Sequence, residues 1–208
     1  MMTARKINRA RRLFLSLLDD RGYAKKKYLW KFGREPDLET PRYFSEKMQW
    51  LKLRDDNCGH AIFADKYGVR GNGAERIGKE YLNELYFVTD NPGNIDYEIL
   101  PDSFVLKATH GSGFNIVCRG KKDFDPKLAK KKMYGWLSTN YAQRSRERQY
   151  EAIPRRIICE RYPEDESGSL RDCKVLCFGS EPRLVWVDVD RHGGHMRSFF
   201  QQTGPLSR

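Results

Sequence analysis

The chain has 208 residues, 32% of them charged and 39% apolar, with a formal charge of +11 at pH 7. This length suits one large domain or two small ones with a sizeable core, and the composition excludes a disordered chain. Residues 1–34 hold eleven Lys and Arg against two Asp, leaving only +2 for the rest, so a nucleic-acid surface made by the whole fold is disfavoured.

In chain order, Ile7, Ala10, Phe14, Leu17 and Leu18 share a helical stripe ringed by Arg5, Lys6, Arg9, Arg11 and Arg12. Such a helix can lie on an anionic membrane surface or bind an acidic partner, although docking on the fold with a solvated basic face is the more frequent outcome. The apolar run Leu13–Leu18 is too short for a secretory signal, and no segment approaches membrane-spanning length. The expected location is the cytoplasm, with peripheral contact at the inner face of the membrane through residues 1–34. Residues 1–40 read as a basic helical segment and 41–208 as the folded domain.

Pro36 and Pro41 interrupt the helical pattern, and Ser45 is placed to cap a helix through Met48, Trp50 and Leu51 to about Leu53. Asp55–Gly59 reads as a loop and Ala64–Arg70 as the start of a helical turn, with Gly71, Gly73 and Gly78 obscuring its continuation. Tyr81–Val88 fits a strand or a short helix. Asp125 caps and Pro126 opens a helix carrying Ala129, Met133, Trp136 and Leu137 on one face. Ile157–Tyr162, Cys173–Phe178 and Leu184–Val189 have strand character, the last two joined by a hairpin at Gly179–Pro182. The sum is an α+β layered architecture with an antiparallel sheet. The five cysteines form no CxxC pair and mostly sit in apolar runs, which predicts buried, reduced thiols.

The stretch Phe104–Cys118 carries the chemistry. Phe104, Leu106 and Ala108 point to one face of a strand while Val105, Lys107 and Thr109 point to the other. The turn His110-Gly111-Ser112-Gly113 that follows has two glycines that permit close backbone approach, so its amides can form an anion-binding concavity. A lysine beside such a loop suggests phosphate. A glycine-containing hairpin with a lysine snorkelling to water is the competing reading.

Taken in order, Pro41–Leu53, Ala64–Arg70, Leu100–Cys118, Arg156–Tyr162 and Asp172–Phe178 resemble the TupA-like ATP-grasp family over residues about 41 to 200. The resemblance implies an ATP-grasp-like fold of two α+β subdomains holding ATP between them, and carboxylate–amine ligation through an acylphosphate. Relatives are associated with bacterial surface polysaccharide or teichuronopeptide synthesis, so a glycan and an amino acid or peptide are the implied substrates. Lys66 and Lys107 would contact nucleotide phosphate, and His110, Gly111, Ser112 and Gly113 would close over it. Glu160, Arg161 and Tyr162 would border the adenine; Asp172, or less favourably Lys174, would face ribose or phosphates.

The family also implies magnesium, held by acidic residues on later strands, whereas the tail Gln201–Arg208 offers no acidic residue. The expectation is therefore a member lacking its C-terminal strands and its metal ligands, binding ATP weakly and exposing sheet edge. The alternative is a non-catalytic protein whose basic arm engages nucleic acid or an anionic membrane. His192 and His195 have HxxH spacing, but flanking glycines favour a loop over a zinc site. No GxxxxGK occurs, and the glycine loop follows its lysine, the reverse of the protein-kinase order.

Overall fold

The computed structural model describes residues 10–11, 13–54, 58–164, 172–189 and 196–201. It divides into two compact units, Met1–Arg161 and Tyr162–Arg208, the boundary falling inside the 41–208 span read from the sequence as one partial domain.

The first unit is built on a four-stranded antiparallel sheet. Its strands are β1 (Leu85–Thr89), β2 (Phe104–Ala108), β3 (Asn115–Cys118) and β4 (Ile157–Arg161), in the order β1-β4-β2-β3. Alternation sorts the two central strands as the sequence predicts. Phe104 opposes Arg161, Leu106 opposes Cys159 and Ala108 opposes Ile157, so these residues share one face, while Val105 opposes Glu160 and Lys107 opposes Ile158 on the other. The first face packs on Ala129 and Met133 of a helix, Pro126–Leu137, whose start is capped by Asp125 accepting from the amides of Lys127 and Leu128. Burial of Phe104, Leu106, Met133, Ile157 and Cys159 makes this the core.

Helices α1 (Asp20–Phe32) and α2 (Phe44–Arg54) lie in the N-terminal part of this unit. Asp19 caps α1 by accepting from Gly22, and Gly33 ends it at φ 73°, where the left-handed region favours glycine. Ser45 does not cap α2. The helix begins one residue earlier, with the Tyr43 carbonyl accepting from Glu46 and Lys47, and Ser45 instead meets the Tyr28 hydroxyl at 3.0 Å. The capping role falls to Glu46, whose buried carboxylate accepts from the amides of Arg42 and Tyr43 at 3.1 Å and from Arg34 at 2.6 Å.

Gly71 and Gly73 lie within α4 (Gly68–Ile77), which follows the short α3 (Ala61–Ala64) and ends at Gly78. The Pro126–Leu137 helix is α5, and α6 is Tyr141–Ser145. Of the expected N-terminal helix, residues 1–9 lie outside the described residues, as do 55–57 of the expected loop. Of the described residues of that helix's apolar stripe, Phe14 is 44% and Leu17 79% exposed, while Leu18 is half-buried.

The second unit is a three-stranded antiparallel sheet, β5 (Asp172–Phe178), β6 (Glu181–Val189) and β7 (Met196–Gln201), in that order. Gly179 and Ser180, both at positive φ, make the two-residue turn between β5 and β6. On one face Asp188 is fully buried and accepts from Arg197 Nε at 2.6 Å. The expectation of buried thiols holds for Cys118 and Cys159 but not for Cys173 and Cys177, which are exposed at alternate positions of edge strand β5. The side chain of Cys58, together with His192 and His195, lies outside the described residues. The mixed helix and antiparallel sheet content is the α+β class expected.

Candidate functional site

Lys107 and Glu160 are diagonal neighbours on the face of the first sheet opposite α5, and their side chains are long enough to bridge that diagonal. Lys107 Nζ donates to Glu160 Oε2 at 2.7 Å, and Arg70 Nη1, arriving from α4, donates to Glu160 Oε1 at 2.7 Å. Glu160 is thus no exposed strand-end acid; it is buried under two cations. Arg70 also donates to the Asn83 carbonyl.

The glycine loop closes between Ala108 and Phe114, where the Ala108 amide donates to the Phe114 carbonyl at 3.0 Å. Lys66 holds this loop from outside, donating to the carbonyl of Ala108 at 3.0 Å and also to that of Gly111. Burial, and then repulsion from Lys107, pushes the Lys66 ammonium below the ordinary lysine pKa, although Asp65 and Glu160 pull the other way. The neighbouring Asp65 is buried, accepts from Arg156 Nη2 at 3.1 Å, and caps the turn into α4 through the Tyr67 amide. Thr109 is tied back by donating to the Pro154 carbonyl at 2.7 Å and accepting from the Arg156 amide at 3.1 Å.

His110 does not face outward. Its ring is buried, Nε2 meets the Trp136 carbonyl at 3.0 Å, and Nδ1 is buried without a partner. Burial holds its pKa below 6.5, so the neutral tautomer with hydrogen on Nε2 fits this contact, and the residue anchors the loop to the end of α5. Gly111 is packed so closely that a Cβ would lie 2.8 Å from the Tyr141 ring. Ser112 and Gly113 are exposed at the loop tip, with Gly113 at φ 75°.

The structure therefore brings together Lys66, Lys107, Glu160 and the loop His110–Gly113 in the first unit. Arg161 follows Glu160 with an exposed side chain. Tyr162, Asp172 and Lys174 belong to the second unit, where Lys174 pairs with Asp172 and Asp188. Sequence reasoning did not assign Arg70, Asp65 or Arg156. Arg70 and Asp65 stood in the same short motif as Lys66, but their partners lie 90 and 91 positions away, and no local pattern reveals such a pairing.

Four cations, Lys66, Lys107, Arg70 and Arg156, surround two carboxylates, Glu160 and Asp65. The surplus of positive charge beside a glycine loop fits an anionic ligand. The TupA-like ATPgrasp family model matches residues 46–206. The chain belongs to the TupA-like ATP-grasp family. No curated protein and no solved structure matches it.

Every residue of the cluster falls inside the matched span, and the α+β architecture is ATP-grasp-like. The family uses ATP and magnesium. The cluster suits the phosphates of ATP. It does not suit a protein-held magnesium ion, because Glu160 and Asp65 are already engaged by guanidinium and ammonium groups, and among the described residues no three acidic, thiol or imidazole side chains converge.

Proposed function

We propose that this protein is an ATP-dependent carboxylate–amine ligase of bacterial surface polysaccharide or teichuronopeptide synthesis, and that the Lys66–Lys107–Arg70 cluster receives the triphosphate. The observation that carries this reading is the convergence of Lys66, Lys107 and Arg70 beside a glycine loop, with Glu160 shared between Lys107 and Arg70. Phosphoryl transfer depends on positioned positive charge more than on a covalent catalyst.

In the reaction, an acceptor carboxylate oxygen attacks the γ-phosphorus and ADP leaves with the bonding pair. The amine then attacks the acyl carbon of the acylphosphate, and inorganic phosphate departs. Lys107 is the group that reaches an equatorial phosphate oxygen, because its Nζ already projects from the strand toward Glu160 and is 30% exposed. Arg70 keeps Glu160 neutralised when Lys107 turns to phosphate, so the exchange leaves no bare buried carboxylate. Lys66 fixes the carbonyls of Ala108 and Gly111, while Ser112 and Gly113 stay exposed at the loop tip to meet the anion. Within the first unit, Glu160 and Arg161 border the base.

Isothermal titration of the full chain tests the reading. ATP is expected to bind at least tenfold more tightly than adenosine, since the proposed contacts are to phosphate. Equal affinity for the two, or no heat with either, would overturn it.

A further inference from the structure

The first unit carries a second concavity, between α1 and α2, of about 430 Å³ and lined by residues that the nucleotide reading does not use. Its floor is formed by Ala24 and Tyr28, both buried, and the Tyr28 hydroxyl is satisfied by Ser45 and Arg34. Its rim is apolar and open: Phe32 is 46%, Phe44 62% and Met48 39% exposed. A soluble surface rarely leaves large side chains standing together in this way without a partner.

The charges on the same groove are of two kinds. Arg146 is committed to Asp20 at 2.9 Å and Lys52 to Glu147 at 3.0 Å. Lys27 and Lys31 have no carboxylate partner among the described residues; Lys27 lies over the Tyr23 ring and Lys31 over the Phe32 ring. Lys27, which also donates to the Tyr23 hydroxyl at 3.3 Å, and Lys31 are one helical turn apart on α1, and Lys31 adjoins the exposed Phe32. Lysines without a carboxylate partner, lying over aromatic rings next to exposed apolar side chains, form the pattern of a surface that sits at a lipid headgroup layer. The segment 1–9 carries Arg5, Lys6 and Arg9, charges of the same sign as Lys27 and Lys31, so charge complementarity favours an anionic occupant from outside the chain. A nucleic acid would meet the lysines but leave Phe32, Phe44 and Met48 uncovered.

We propose that the α1–α2 groove docks the protein on an anionic phospholipid bilayer, with Phe32, Phe44 and Met48 entering the headgroup boundary and Lys27 and Lys31 meeting lipid phosphates. Flexible ammonium groups suit phosphates that move in the bilayer plane, where a fixed carboxylate would favour the fork of an arginine. This docking goes beyond the ligase reading and needs no nucleotide.

The test is flotation of the full chain with vesicles of phosphatidylcholine, with or without phosphatidylglycerol, in the absence of ATP. Binding is expected only to the anionic vesicles and is expected to weaken with salt. Lys27→Gln with Lys31→Gln should lower the partition about thirtyfold, each lysine contributing about fivefold. Phe44→Ser with Met48→Ser should lower it by at least tenfold, because both apolar side chains leave the interface. Leu128→Ser, exposed on α5, should leave it unchanged, and melting temperatures show that each variant is folded. Equal binding to neutral vesicles, absence of binding to anionic ones, or indifference to the paired lysine substitutions would overturn the proposal. So would binding of polyglutamate or heparin through the same lysines without lipid binding, which would assign the groove to a soluble acidic partner.

Discussion

Lys107→Met is the sharpest perturbation of the nucleotide reading. Methionine keeps the length and the apolar stem of the strand lysine while removing the charge. The effect on folding is small by construction: Lys107 is 30% exposed, and its partner Glu160 keeps Arg70 at 2.7 Å. A partly exposed ion pair contributes up to about 1 kcal/mol, which for a chain of this size corresponds to a melting shift of about 2–4 °C. The effect on ATP is larger. A hydrogen bond from a charged donor contributes about 1.5–3 kcal/mol, but Nζ must first loosen its contact with Glu160, so the lower end applies and the affinity should fall about tenfold.

Titration calorimetry beside a thermal melt separates the two effects. Lys130→Met, at a half-buried position of α5, provides the control, since α5 packs on the opposite face of the sheet. Affinity for ATP within twofold of the unmodified chain, in a folded Lys107→Met variant, would refute the assignment of Lys107 to phosphate. An equal loss in Lys130→Met would refute it as well, by reducing the effect to net charge.

Other outcomes follow from the same geometry. Burial holds the His110 pKa below 6.5; between that lowered value and 6.5 the unfolded chain binds more protons, so stability should fall as pH falls through this window, and His110→Gln should flatten that limb of the melting profile. Burial raises the Glu46 pKa, but Arg34 and the amides of Tyr43, Arg42 and Asp37 outweigh it and hold the group at about 2; its stabilisation is present above 4.5, is lost as pH falls toward 2, and should be absent in Glu46→Gln when melts are compared across that range. A thiol-reagent titration of Cys58→Ser should find Cys173 and Cys177 reactive in the native protein, with Cys118 and Cys159 reacting only on unfolding, because both are buried and the Cys159 thiol is pushed up to about 12. Gly111→Ala should destabilise by about 1–3 kcal/mol, read from denaturant melts, since its Cβ would meet the Tyr141 and Phe114 rings at 2.8–2.9 Å.

Elements whose signal is local were legible in the sequence. The hairpin around Lys107 shows a period of two on both sides of a glycine turn, and α5 announces itself through Asp125 and Pro126. Ser45 misled because serine is the usual capping residue, yet here its hydroxyl is drawn to Tyr28 and Glu46, three positions after Tyr43, completes the cap. Cys173 and Cys177 misled for a different reason. An apolar run tells that a strand can be buried, but not that it lies at a sheet edge, where alternate residues face water. The Glu160 cluster was half legible: Lys66 and Lys107 stand in recognisable motifs, while the Arg70 contact joins segments that only the tertiary fold brings together.

The cluster is held in a state of internal opposition, and that opposition bears on how it works. Lys66 is stabilised by two loop carbonyls but destabilised by burial and by Lys107, while Glu160 is shared between Lys107 and Arg70. Removing Arg70 would leave the buried Glu160 to the half-exposed Lys107 alone, which costs more than removing Lys107, because Arg70 then still pairs Glu160. Adding an anion does the reverse, because it screens the two lysines from each other and lets Lys107 turn from Glu160 without baring it. A loop latched through its carbonyls, with His110 anchored to α5 beneath it, therefore needs little rearrangement to present its exposed tip to phosphate. On the proposed reading Arg70 should matter as much as either lysine: without its contact to Glu160, the exchange of Lys107 from carboxylate to phosphate would strand a buried negative charge.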